Sequence, residues 1–276
     1  LPFVADLLEF KIKSMNDCAG NDDTRKISVA GYIKSLANTS KNYRGKIQGL
    51  RRTQVIANKK NENEILKQFV QSKPELQIHY AQVIETIDSL YALTIANAPR
   101  DLTVNELFQS VSVFFAASFI NAQNLELAKT KVKKDRIAFI EKNKEPLKKS
   151  FLATYRIYDP TMDEAYLLKL LLKINDLPEN LKPDFIRQIA KKSNPKENIT
   201  KFVEGLYKKS KLKDNKATRE LLEKSMVEFL AQKEPMLAFA AKVTKEVEVY
   251  QAALADRNSQ IAALMPKFTE IKMKYY

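Results

Sequence analysis

Apolar residues recur three and four positions apart along nearly the whole chain, with polar residues between them, which is the spacing of helices that bury one face. Behind Pro74, the set Leu76, Tyr80, Val83, Ile84, Ile87, Leu90 and Tyr91 keeps to one face and predicts a single helix opened by the proline. The stretch from Val104 to Leu127 carries Leu107, Phe108, Val111, Phe114, Phe115, Phe119 and Ile120 among alanines and serines. It is apolar almost all round and predicts a central, buried helix. A charged helix with a basic outer face follows from Lys129 to Lys149, with a boundary expected at Glu145-Pro146. Asp163 to Ile174 should end at Asn175-Asp176-Leu177-Pro178, and Pro183 and Asn194-Pro195 divide the next region into short helical hairpins. Thr218 to Gln232 predicts one amphipathic helix stopped by Glu234-Pro235. The last stripe runs from Val243 to Ile271 and should be kinked or split at Pro266.

Composition narrows the fold further. Five glycines in 276 residues leave few positions for the tight turns of sandwiches, barrels and phosphate loops, and 45% hydrophobic residues fill a real core. The reading is an all-α, irregular multi-helix fold, taken as a single domain over residues 1–276. Lys plus Arg at 47 against Asp plus Glu at 33 gives a net charge of +14, which disfavours basic partners. One function class compatible with that charge is a basic, all-helical interaction module for nucleic acid or an acidic protein. The runs Lys131-Lys133-Lys134, Lys191-Lys192 and Lys208-Lys209-Lys211-Lys213, however, lack interleaved aromatics and read as solvated helix faces.

Catalytic and metal chemistry are limited by supply. Cys18 is the single cysteine, which excludes an internal disulfide and a thiolate zinc cage, and His79 is the single histidine, which excludes multi-His sites. No metal site and no cofactor are expected. His79 sits in Gln77-Ile78-His79-Tyr80 on an amphipathic helix, with no glycine-framed serine loop anywhere, so it reads as a satisfied or solvent-facing side chain. The pairs Asp22-Asp23 and Asp163-Glu164 fit helix starts, and Glu246-Glu248 lacks calcium-loop spacing. No run approaches the roughly 20 apolar residues of a membrane span. Leu1-Pro2-Phe3 offers neither an initiator Met nor a basic segment before an apolar one, which suggests a fragment or a mature segment.

The least helix-like stretch is Asn38-Thr39-Ser40-Lys41-Asn42-Tyr43-Arg44-Gly45-Lys46-Ile47-Gln48-Gly49-Leu50. Asn38 and Asn42 are four apart, so a helix would set both amides on one face, and Gly45 would allow another chain to approach closely. This stretch, Phe202-Val203-Glu204-Gly205-Leu206-Tyr207-Lys208-Lys209-Ser210 and Glu234-Pro235-Met236-Leu237-Ala238-Phe239-Ala240 come in an order that resembles the helical domain of the bacterial dipeptidyl-peptidase 7 and 11 type serine peptidases. Relatives carry Asn-Tyr-Trp-Lys-Asn where this chain has Asn38-Thr39-Ser40-Lys41-Asn42.

The resemblance implies a helical cap inserted in a double-barrel, chymotrypsin-like catalytic domain, with the barrels and catalytic residues outside this chain. It implies a dipeptidyl aminopeptidase, periplasmic or secreted, whose cap gates the cleft. Asn42 or Asn38 would then help hold the ammonium of a peptide substrate's free amino terminus, whose three donors suit amide oxygens combined with a carboxylate. The partners implied are that peptide terminus and the catalytic domain of the same parent chain, not nucleic acid. A surface that packs on a catalytic domain can also pair with a second copy in an isolated chain, which leaves the oligomeric state open between monomer and homodimer. On this reading the chain alone is not active.

Overall fold

A computed structural model of the chain describes residues 1–155, 158–191 and 193–276, the side chain of Thr154 excepted; Lys192, in one of the lysine runs, lies outside the described residues. All regular structure among them is helical, as the periodicity predicts. In chain order the helices are α1 (Pro2–Ala19), α2 (Asp23–Arg52), α3 (Val55–Gln71), α4 (Pro74–Tyr80), α5 (Val83–Ser110), α6 (Ser112–Lys129), α7 (Lys133–Thr154) and α8 (Pro160–Asn175). A 3-10 turn (Glu179–Leu181) precedes α9 (Asp184–Ala190), α10 (Pro195–Lys209), α11 (Asn215–Lys224), α12 (Met226–Leu230) and α13 (Pro235–Tyr275). No single helix among the described residues is long and apolar enough to cross a membrane.

Several boundaries differ from the sequence reading, each for a physical reason. The helix read from Glu75 to Tyr91 is two, parted by a turn at Ala81 and Gln82. The central helix read from Val104 to Leu127 is broken at Val111, where the backbone is extended (φ −109, ψ 106). Thr218 to Gln232 is broken at Ser225, whose hydroxyl accepts the Glu228 N–H at 3.2 Å and starts α12 afresh. Conversely, Pro146 and Pro266 break nothing: they lie inside α7 and α13. Buried Ile140 and Phe151 anchor α7 on both sides of Pro146, and Leu264, Phe268 and Ile271 do the same around Pro266. Packing outweighs the amide hydrogen bond that each proline removes.

The chain forms two compact units. The larger comprises Phe10–Leu36 and Arg100–Val247. Its core is built on α6, α8, α9, α10 and α12, with Phe239 meeting Phe114, Phe202 and Phe185 edge-on at ring distances of 5.4, 5.1 and 6.0 Å. Carboxylates from distant segments finish the ends of its helices. Asp163, buried on α8, accepts the Ser112 N–H at 2.7 Å, the Val113 N–H at 3.1 Å and the Tyr207 hydroxyl at 2.6 Å, so it caps α6 rather than merely marking its own helix start. The cap of α8 itself is Asp159, which accepts the Thr161 and Met162 amides. Glu246 likewise accepts the Asp184 and Phe185 amides that open α9, at 2.9 and 2.7 Å. The Val113 amide, which is buried, would otherwise be left without an acceptor in the apolar interior.

The smaller unit comprises Leu1–Glu9, Ala37–Pro99 and Glu248–Tyr276. Leu66 and Val70 of α3, Leu76 of α4, Val83, Ile84 and Ile87 of α5 and Ile271 of α13 make its core. Polar ties surround it: Lys272 with Glu62 at 2.6 Å, Lys67 with Asp88 at 3.3 Å, and the Tyr80 hydroxyl donating to Glu270 at 2.6 Å.

Candidate functional site

The segment that carries Asn38 and Asn42 is helical throughout, within the 30 residues of α2. One face of it is anchored. Ser40 and Ile47 are buried, and the Ser40 hydroxyl donates to Glu9 of α1 at 3.2 Å. One turn on, Arg44 forks across α1: Nε donates to Glu9 at 3.0 Å, and Nη2 donates to Glu9 at 2.9 Å and to Asp6 at 2.5 Å. The hydrogen bonds from Arg44 hold the Glu9 carboxyl below the usual range, and Glu9 followed by Asp6 raises the guanidinium.

The opposite face carries the two amides. Asn38 and Asn42 are both exposed and make no hydrogen bond among the described residues. Gly45 and Gly49 continue the same face, since steps of three, four and seven return to one side of a helix. A Cβ added at either would meet nothing within 4 Å. The open approach foreseen for Gly45 is therefore unfilled by any described part of this chain. Ser40, between the two amides in sequence, is buried and committed to Glu9.

The structure brings Asn38 and Asn42 together and leaves the other candidates apart. His79 is exposed on α4, edge-on to Tyr80 at 6.1 Å, with no carboxylate or hydroxyl bonded to it among the described residues. No group of three or more His, Cys, Asp and Glu side chains among the described residues could hold a metal ion. The lysines at 131, 133, 134, 208, 209 and 211 are exposed; 133, 134, 208 and 209 lie on helix faces, and 131 and 211 lie in the connections beside them. Sequence reasoning missed the Arg44 fork. Its signals, Asp6 and Glu9 three apart and Ser40 and Arg44 four apart, are each local, but their pairing joins segments 31 to 38 residues distant.

The family model for peptidase S46 matches residues 1–276, the whole chain. This chain belongs to the peptidase S46 family. That family is the dipeptidyl-peptidase 7/11 group, so the S46 chain is a dipeptidyl-peptidase domain, of serine-peptidase and hydrolase class. Comparison with curated proteins finds no match.

Proposed function

We propose that this S46 chain is the helical cap of a periplasmic or secreted dipeptidyl aminopeptidase, covering its active-site cleft and binding the free amino terminus of peptide substrates through the Asn38 and Asn42 face of α2. The observation that carries this reading is a pair of exposed, unengaged amides beside two glycines with open space before them, on a helix whose other face is pinned by Ser40 and Arg44. A rigid helix presenting amide oxygens suits a ligand that is all donor, and an ammonium is one. The glycines let a catalytic domain or the substrate backbone come close. Nucleophile, base and oxyanion donors come from elsewhere, so the chain supplies recognition and gating.

The test is steady-state kinetics of the peptidase that carries this chain, on dipeptide substrates with free and with blocked amino termini. Asn42→Ala or Asn38→Ala should lower kcat/KM on the free substrate by roughly 10- to 100-fold, the loss of a hydrogen bond to a charged group. The blocked substrate should be poor throughout and change little. Unaltered kinetics in both variants would sink the amide clamp. Equal losses on both substrates would trace the effect to folding.

A further inference from the structure

Where α6 ends and α7 begins, in the larger unit, the chain sets five cations, Lys129, Lys131, Lys133, Lys134 and Arg136, against one acid, Asp135. Residues 131–138 are all exposed. Two of the cations are used within the corner itself. Lys129 pairs with Glu126 at 2.5 Å, and Arg136 Nε donates to the Thr130 carbonyl at 2.5 Å, which ties the connection to the first turn of α7. Lys131, Lys133 and Lys134 make no ion pair or hydrogen bond among the described residues.

Apolar side chains stand uncovered among these lysines. Val132, with a lysine on each side in sequence, is 57% exposed; Ile137, one turn along α7 from Lys133 and Lys134, is 49% exposed; Leu125, one turn before Lys129 on α6, is 58% exposed. By steps of three, seven and four, Ile137 belongs to the stripe of Ile140, Leu147 and Phe151 that α7 packs on the core, and it carries that stripe out to solvent. The run from Lys208 to Lys213 is built the opposite way: Leu206, Tyr207 and Leu212 are buried, and no large apolar side chain there faces solvent.

Lysines alone attract any polyanion, but nucleic acid also needs aromatic faces for its bases, and residues 129–138 contain none. Exposed aliphatic side chains ringed by unpaired ammonium groups match a surface that is anionic outside and hydrocarbon beneath. We propose that the α6–α7 corner docks this protein on an anionic lipid bilayer. Lys131, Lys133 and Lys134 meet the headgroup phosphates, their stems spanning the interface, while Val132, Ile137 and Leu125 enter the acyl boundary. Such docking is peripheral and reversible, since a few side chains hold far less tightly than a spanning helix. It uses no residue of the Asn38 and Asn42 face and does not depend on the cap reading.

The test is cosedimentation of the chain with vesicles of equal parts phosphatidylcholine and phosphatidylglycerol, against vesicles of phosphatidylcholine alone. The chain should follow the mixed vesicles only. Raising salt from about 0.1 to about 1 M, which shortens the screening length from about 10 to about 3 Å, should release most of it. Lys131→Glu, Lys133→Glu and Lys134→Glu together should lower partitioning roughly tenfold or more. Val132→Ser with Ile137→Ser, which keeps every charge, should lower it roughly fivefold. Lys208→Glu, Lys209→Glu and Lys211→Glu, an equal change in net charge at exposed positions, should alter it little. Equal binding to both vesicle types overturns the proposal, as does an equal loss from the two glutamate sets, which would assign binding to overall charge. An unaffected serine pair overturns it too, and heparin bound as well as lipid would then mark a site for soluble polyanions. Should the multiple variants misfold, a single indole decides: the chain has no tryptophan, so emission from Val132→Trp should shift to the blue on mixed vesicles and be quenched by lipids brominated along the acyl chain. Emission that stays unmoved refutes the docking.

Discussion

The carboxyl of Asp163 is held in the interior by three donors, and two opposing influences set its protonation. Burial pushes its pKa up, and the hydrogen bonds from Tyr207 and the α6 amides pull it down without reversing the shift. At Asp159 the balance falls the other way: burial raises it, but the Met162 amide, Arg25 and the Thr161 amide outweigh burial and leave it lowered. The consequences for acid stability are opposite in sign. A carboxyl with a raised folded pKa binds its proton more tightly when folded, so acidification through that pKa favours the fold; a lowered one contributes stability above its unfolded pKa and loses it as pH falls through its folded pKa. Arg25→Ala is therefore expected to flatten the acid-side loss of stability below the ordinary aspartate range, read as urea midpoints against pH; an unchanged slope would remove Asp159 from that account. Asp163→Ala orphans three donors and should lower unfolding free energy by about 2–4 kcal/mol, whereas Tyr207→Phe removes one donor and should cost about 1 kcal/mol. The reverse ranking in equilibrium unfolding would contradict the capping role.

Helices show which information is local. The class of the fold and the shared face of Asn38 and Asn42 were legible because three-and-four spacing is a property of neighbours. The break at Val111 was not, because its stability depends on Asp163, which lies 51 residues from the Ser112 amide that it accepts. The uninterrupted passage through Pro146 and Pro266 was hidden for the same reason, since the anchors that hold those turns come from other helices. The Arg44 fork needed α1 in place before it could be seen. Glycines give an element-scale check. Gly205 lies within α10 with no atom within 4 Å of a prospective Cβ, so Gly205→Ala should stabilise by about 0.5–1 kcal/mol in thermal or urea unfolding. Gly20, at φ +56 beyond the end of α1, should lose stability on the same change. Gly45→Ala offers a contrast: stabilising in this chain alone, where the space is open, yet harmful to kcat/KM in the peptidase if that face is covered there. A variant equally active in the peptidase would leave the glycine face uncovered.

At the scale of the molecule, the two units hold very different cores. The larger buries Phe114, Phe151, Phe185, Phe229, Tyr155 and Tyr207 along with many aliphatic residues, while the main buried cluster of the smaller is seven aliphatic side chains fringed by ion pairs. Exposed ion pairs add little, and buried apolar area sets the free energy of local opening. Amides of α3 and α4 should therefore exchange with deuterium well ahead of those in α8 and α10. Equal protection in the two sets would show that they open in a single step.

The carboxylates that close helices from afar also constrain the order of events during synthesis. When Ser112 and Val113 leave the ribosome, their acceptor has not yet been made, and about fifty further residues must follow before Asp163 arrives; the Phe185 amide waits longer, for Glu246, 61 residues on. Each such loop must close before the amides it serves are satisfied, and closure entropy grows with its length. The starts of α6 and α9 thus have no satisfied end while the chain is being translated, and a product truncated before residue 163 would expose the most apolar helix of the protein with its first turn uncapped. Such nascent chains should draw chaperones until α8 docks, a dependence that pausing translation on either side of codon 163 would reveal.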